Sequence, residues 1–286
     1  MLTFNEHLKI TQGKAQKRNN VLKVIAGSSW GKDKETLITT FKAVCQSVIN
    51  YAAPIWAPQA SKTNMQKLQI AQNKALRAAT GCHVMSSIYH LHEETKVIPV
   101  TPHNEMLSKQ YLLGCLLPSD VYNDIISAPQ PPRSIRKNRT NTYLQELRRR
   151  YLPENNPFDD IYKTILRQIH TDTISDVTEH LTFNRVLGTR PPDINDEEKK
   201  LPRPTRVTLA QLRSGWCHKL QSYKARLNPE ESDQCPACRN AVHDVPHLFN
   251  CVANPTTPDP SSLLTNPVAA AEFLNILMKD SVTGIP

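Results

Sequence analysis

The chain has 286 residues, a mean hydropathy of −0.47, and 35 Lys/Arg against 26 Asp/Glu for a net charge of +9. At 39% hydrophobic it can bury the core of one large or two modest domains. No window approaches the roughly eighteen apolar residues of a membrane span, which excludes a spanning protein. Eight glycines against 22 prolines favour helices joined by stiff connectors over a Gly-turned β-fold, so the expected fold class is mostly α. The start, Met1 to Glu6, has neither the basic residues nor the apolar run of a secretory signal. With an odd total of seven cysteines, this leads to the expectation of a reducing, intracellular setting, nuclear or cytoplasmic.

In chain order, Leu8, Ile10, Ala15, Val21, Leu22, Val24 and Ile25 predict an amphipathic helix stopping at Gly27-Ser28-Ser29, with Lys14, Lys17, Arg18 and Lys23 on its wet side. Asp33 is placed to cap a second helix with Leu37, Ile38, Phe41, Val44, Cys45, Val48, Ile49 and Ala52 inward, broken by Pro54. Ser61 is placed to cap a third, with Met65, Leu68, Ile70, Ala71, Ala75 and Leu76 inward, ending at Gly81. A fourth runs from Pro102 to Leu117. Residues 1–117 thus read as a helical block.

Residues 118–142 read as an extended linker, with Pro118, Pro129, Pro131 and Pro132 before a basic run. A helical connector follows over 143–201, with short helices at Tyr143–Arg150 and Ile161–His170, then Pro191-Pro192 and the acidic run Asp193–Glu198. Residues 202–256 hold a helix through Leu209–Arg213, ending at Gly215, and a cysteine module; 257–286 form a Pro-rich tail with a short helix from Pro267 to Met278.

Charge is uneven along this order. Residues 1–116 hold 14 Lys/Arg against 6 Asp/Glu, residues 133–150 hold 7 against 1, and the remainder is net negative. Two basic blocks in an otherwise acidic chain describe a surface for a polyanion. Arg133, Arg136, Lys137, Arg139, Arg148, Arg149 and Arg150 are the candidate phosphate-binding residues; the bland alternative is a solvated linker.

The densest chemistry is Cys235-x2-Cys238-x8-His247-x3-Cys251, three thiols and an imidazole within 17 residues. The donor set and spacing match a closed tetrahedral Zn²⁺ site, with Pro236 in the turn and His247 and Cys251 at i, i+4. Four protein ligands leave no open position, so the expected role is structural. A redox Cys-x-x-Cys pair is the alternative, but nothing upstream reads as the strand such a motif follows. His243 is the rival imidazole.

Among the aromatics, Trp30 and Trp56 sit at helix ends where core anchoring is the usual job. Trp216, beside the cysteine module, is the candidate for stacking on bases. His90-x-His92-Glu93-Glu94 is expected to be an exposed cap with a solvated acidic patch, because His at i, i+2 do not share a helical face.

Four stretches together resemble the C-terminal part of the reverse transcriptase of non-LTR, LINE-type (jockey-like) retrotransposons. They are Leu2–Leu8 (LTFNEHL), Val48–Trp56 (VINYAAPIW), Leu68–Arg77 (LQIAQNKALR), and Gln211–Gly215 (QLRSG) leading into the Cys235–Cys251 module. The resemblance implies a thumb-like helical block followed by a terminal zinc module that bind RNA or DNA, with polymerase domains upstream. It also marks a departure. That polymerase chemistry needs an aromatic-x-Asp-Asp turn holding two Mg²⁺, whereas the one Asp-Asp here, Asp159-Asp160, follows Asn156-Pro157-Phe158. Its expected place is a helix N-terminus, facing the dipole. The chain therefore reads as a non-catalytic, nucleic-acid-binding fragment; a protein-interaction or relic module with a structural zinc site is the alternative.

Overall fold

A computed structural model describes residues 4–27, 31–117, 120–127, 139–152, 158–179, 184–253 and 258–276. Among these the chain is mostly helical and has no extended strand, only an isolated antiparallel bridge between Gln234 and Val242. The helices are α1 (Asn5–Ile25), α2 (Lys34–Thr40), α3 (Ser47–Asn50), α4 (Ala53–Trp56), α5 (Lys62–Thr80), α6 (Ile88–Thr95), α7 (Val100–Cys115) and α8 (Asn123–Ser127). They continue with α9 (Arg139–Arg150), α10 (Phe158–Glu179), α11 (Arg203–Arg213), α12 (Gln221–Leu227), α13 (Val245–Leu248), α14 (Ser262–Thr265) and α15 (Pro267–Phe273).

Local signals explain most of these limits. The Asp33 carboxylate accepts from the Thr36 N–H at 2.8 Å and the Thr36 hydroxyl at 2.7 Å, fixing the start of α2. Ser61 Oγ accepts from the Asn64 N–H at 3.3 Å ahead of α5. Gly81 (φ +76°) and Gly215 (φ +69°) stand in the left-handed region just past α5 and α11. The segment between α2 and α3, expected as one continuous helix, contains a π-helical stretch, Phe41–Gln46.

Other expectations are corrected. Ile10, Val21 and Val24 of α1 are exposed, and the buried stripe is Leu8, Thr11, Ala15, Asn19 and Leu22, which admits two polar residues. Ile70 of α5 is exposed as well, while Gln69, Gln72 and Asn73 are buried. Within the expected extended linker, α8 forms and α9 begins at Arg139; residues 128–138, with Arg133, Arg136 and Lys137, lie outside the described residues, as does Trp30. Asp159 and Asp160 occupy the first turn of α10, which runs well past His170.

The chain divides into two compact units that cut across the sequential division drawn from composition. The first comprises residues 1–18, 43–72 and 98–181; the second, 19–42, 73–97 and 182–286. Proline and charge mark segments along the chain, but the units are assembled from pieces distant in sequence.

In the first unit, Leu8 and Ala15 of α1, Ile49 of α3, Ala53 and Trp56 of α4 and Met65, Leu68 and Ala71 of α5 make one core. Trp56 is an anchor, as expected: it is buried, and its Nε1 donates to the Tyr51 carbonyl at 2.8 Å. A second core joins Met106, Leu112 and Leu113 of α7 to Tyr143, Leu144 and Leu147 of α9 and Ile165 and Ile169 of α10.

The second unit is built on α11, α14 and α15. Leu209, Leu212, Cys217, Leu220, Leu263, Leu264 and Ala271 form its core with Val245 and Phe249. Arg203 ties earlier segments to it, donating to the carbonyls of Ala26, Gly27, Ala78 and Ala79 at 3.0–3.2 Å. Those carbonyls lie at the C-terminal ends of α1 and α5, where cations are favoured.

A charged cluster is buried in the same unit. Arg213 donates to Glu94 at 2.7 Å, to Glu198, and to the Leu263 carbonyl at 2.9 Å. Lys34 reaches Glu94 at 3.0 Å and Glu198 at 3.2 Å, and Arg206 grips both oxygens of Glu35 at 2.7 and 2.8 Å. The side chains of Arg213, Glu94 and Glu198 are 0%, 1% and 3% exposed. The expectation of an exposed acidic cap at His90–Glu94 is therefore wrong: α6 buries His90, Leu91, His92, Glu94 and Thr95, with His90 donating to the Ala210 carbonyl at 3.2 Å. Its polarity hid its burial because its countercharges come from far along the chain.

Candidate metal centre

Cys235 and Cys238 sit on a tight turn closed by the Arg239 N–H donating to the Cys235 carbonyl at 2.9 Å. Arg239 holds a left-handed conformation (φ +57°), which turns the chain back after Cys238. The Cys235 N–H donates to the Ala241 carbonyl at 2.8 Å and the His243 N–H to the Asp233 carbonyl at 2.7 Å, flanking the Gln234–Val242 bridge. Asp244 then caps α13, accepting from the His247 N–H at 3.0 Å, and Pro246 fits the first turn. This short helix presents His247, and Cys251 follows it.

The four ligand atoms converge. Cys235 Sγ and Cys251 Sγ are 3.9 Å apart, Cys238 Sγ and His247 Nε2 are 3.3 Å apart, and all four atoms lie within 4.8 Å of one another. A tetrahedral ion with metal–sulfur bonds of about 2.3 Å requires sulfur–sulfur edges of about 3.8 Å. The cluster can hold a metal ion, and it is the one such group of three or more ligating side chains among the described residues. Cys235 and Cys251 are buried, and Cys238 and His247 are half-buried.

His243 does something else. Its Nδ1 accepts from the Gln221 N–H at 3.0 Å and its carbonyl accepts from the Ser222 N–H at 3.3 Å, so it holds the start of α12. The ambiguity between the two imidazoles is thereby resolved in favour of His247 as the residue aimed at the thiols.

Burial raises the Cys235 thiol, but backbone N–H groups of Cys238 and Ala237, with His247 and Cys251, outweigh it and bring it down to about 6. The scattered cysteines lie opposite to Cys235 in direction. Burial pushes Cys82 up to about 12 and raises Cys45, Cys115 and Cys217. Within the module the lowering belongs to Cys235; the Ala253 N–H lowers Cys251, but burial and hydrogen bonding to Cys235 and Cys238 outweigh it and raise that thiol. The scattered thiols pack as small apolar side chains. The module also feeds the core: Val245 and Phe249 are buried, and Phe249 stacks on Phe273 with centroids 5.8 Å apart.

The remaining candidates are placed as follows. Arg139 is at the start of α9, and Arg148, Arg149 and Arg150 form its exposed last turn, in the first unit. Arg150 is engaged by Asp172 at 3.1 Å and Asp176 at 4.0 Å. Trp216 belongs to the second unit and is half-buried. It stacks on His83 (centroids 5.7 Å, planes 14° apart) and meets the edge of Tyr223 at 6.3 Å. The guanidiniums of Arg226 and Arg185 lie 4.8 and 5.7 Å from its centre. These two arginines escaped sequence reading; Tyr223 and Arg226, at i, i+3 on α12, were the one available signal.

No helix among the described residues is long and apolar enough to cross a membrane. Compared with known family models, curated proteins and solved structures, the chain matches none.

Proposed function

We propose that the chain is a nucleic-acid-binding, non-polymerising portion of a non-LTR retrotransposon reverse transcriptase, stapled by Zn²⁺ on Cys235, Cys238, His247 and Cys251. The observation that carries this reading is the convergence of a Cys3His donor set with every position supplied by protein. Such a set favours zinc among common metals and leaves no site for water or substrate, so the ion stabilises and does not catalyse. Thiolate ligation suits a reducing, intracellular compartment. The exposed arginines at the end of α9 and the basic run before it supply phosphate contacts, holding RNA or DNA for polymerase domains elsewhere in the element.

The test is binding of a 20-nucleotide single-stranded RNA by fluorescence anisotropy across KCl concentrations. Log affinity is expected to fall linearly with log salt, and replacing Arg133, Arg136, Lys137 and Arg139 by Ala is expected to flatten the slope by up to about 3 units. An unchanged slope would reduce the linker to a spacer. One observation favours a second reading, a protein-interaction module: Val84, Met85, Ile88 and Tyr89 are 68%, 60%, 41% and 45% exposed. Absence of RNA binding at 50 mM KCl would move the assignment there.

A further inference from the structure

Around Trp216 the second unit gathers two guanidinium groups, those of Arg185 and Arg226. Both are exposed, and among the described residues neither forms a direct ion pair, the nearby carboxylate of Asp244 acting on Arg226 at longer range. Instead both lie within 6 Å of a single indole centre. The Arg226 guanidinium is pushed down by burial and then by the charge of Arg185, which Asp244 opposes without reversing. Two like charges held this close are a cost that a bound anion would relieve further than Asp244 does.

Each arginine is held from behind. Arg185 follows Asn184, a buried residue whose Oδ1 accepts from the N–H groups of Val186 at 2.8 Å and Leu187 at 3.2 Å. Asn184 Nδ2 donates to the Arg213 carbonyl at 3.3 Å, and the loop closes through the Gly188 N–H to the Asn184 carbonyl at 2.8 Å. Arg226 rides on α12 with Tyr223, whose hydroxyl pairs with His83 Nε2 at 3.1 Å. The start of α12 is tied to His243, between the metal ligands Cys238 and His247.

We infer that Arg185 and Arg226, set on the Trp216 ring, form a phosphodiester clamp for single-stranded nucleic acid, and that His243 couples it to the metal module. A guanidinium seated over an aromatic ring still has N–H donors to offer at its edge, and such edges match phosphate oxygens. The indole is a mount, not a platform for a base, since His83 already stacks on it. Met85 and Glu93 line an adjoining cleft of about 210 Å³ with Arg185 and Trp216, which gives the attached nucleoside somewhere to lie. This inference rests on the nucleic-acid reading above and adds a site to it that is separate from the basic linker.

The experiment uses the whole zinc-loaded chain and the same labelled 20-nucleotide RNA over 50–300 mM KCl. The double variant Arg185→Gln/Arg226→Gln is expected to bind roughly ten- to thirtyfold more weakly at low salt, with a salt slope shallower by about 1.4. Arg226→Lys keeps the charge but loses the planar fork; it should bind more weakly with a nearly unchanged slope. Trp216→Leu, with both charges present, should weaken binding severalfold by releasing the guanidiniums. Circular dichroism and zinc content check that the variants fold. A wild-type chain that binds RNA while the double variant keeps its affinity and slope overturns the clamp and leaves the broader function standing. A wild-type chain that binds no RNA overturns both.

Discussion

Arg213 is the residue on which the second unit depends most. It lies between Glu94 and Glu198, and all three side chains are buried. Replacing it by Met leaves two buried carboxylates with Lys34 and Arg206 alone, a change expected to destabilise the protein by about 3–5 kcal/mol in urea unfolding. Adding Glu94→Leu, Glu198→Leu and Lys34→Met should restore much of that, because these charges are dispensable together where a single member is not, and Arg206 keeps Glu35. The same residues set the response to acid. Burial raises the Glu94 carboxyl, but Arg213 and Lys34 outweigh it and hold it below the ordinary range. Its stabilisation is present above the free carboxylate value of about 4.3 and is lost as pH falls through the folded value. Burial lowers His83, His90 and His92, so the folded state binds fewer protons than free imidazoles do below about pH 6.5. Stability should therefore fall from about pH 6.5 downward. Glu93, pushed up to about 7 by burial, works the other way above the free carboxylate value. Thermal melts of Glu93→Gln should show a steeper pH dependence between about 4.5 and 7 than wild type; an unchanged profile would remove Glu93 from the balance.

At the scale of elements, local chemistry was legible and distant chemistry was not. Asp33, Ser61, Gly81 and Gly215 announced helix limits because a cap acts within three or four residues of its own position. The metal ligands were legible for the same reason, lying within 17 residues. The course of α6 was not, since Glu94 and Arg213 are 119 positions apart and neither hints at the other. Arg185 and Arg226 were missed because their meeting point is a ring on a third segment. Gly81 shows a constraint that only packing reveals. A Cβ added there would stand 2.6 Å from both methyl carbons of Val207, on α11, besides straining a backbone at φ +76°. Gly81→Ala is expected to cost about 3 kcal/mol, and Val207→Ala in the same chain to relieve the steric share but not the backbone share. Equal losses in the single and double variants would assign the whole cost to the backbone.

For the whole molecule, the metal is expected to act on one unit more than the other. Zinc binding in small modules is worth on the order of 10 kcal/mol, comparable to the entire stability of a domain. Here the ion would hold Val245 and Phe249 in the core shared with α11, α14 and α15. Chelation should strip amide-exchange protection from residues 235–251 and from α11, while α7, α9 and α10, packed on their own core, keep theirs. Cys235→Ser should reproduce this and lower bound zinc to well below one equivalent. Uniform loss of protection along the chain would mean that the units do not unfold separately.

The division of the second unit into three distant segments also governs its birth on the ribosome. Lys34 and Glu94 are synthesised early, and neither Glu198 nor Arg213 exists until more than a hundred residues later for the pair Glu94–Arg213. Throughout that interval Lys34 and Glu94 have each other but neither Glu198 nor Arg213, and the carbonyls of Ala26 and Ala78 await Arg203. The first unit can close once residue 181 has emerged; the second must wait for the segment that begins at 182. A nascent chain stalled between them would display a finished domain beside two unsheltered helical pieces, a natural target for chaperones and for degradation.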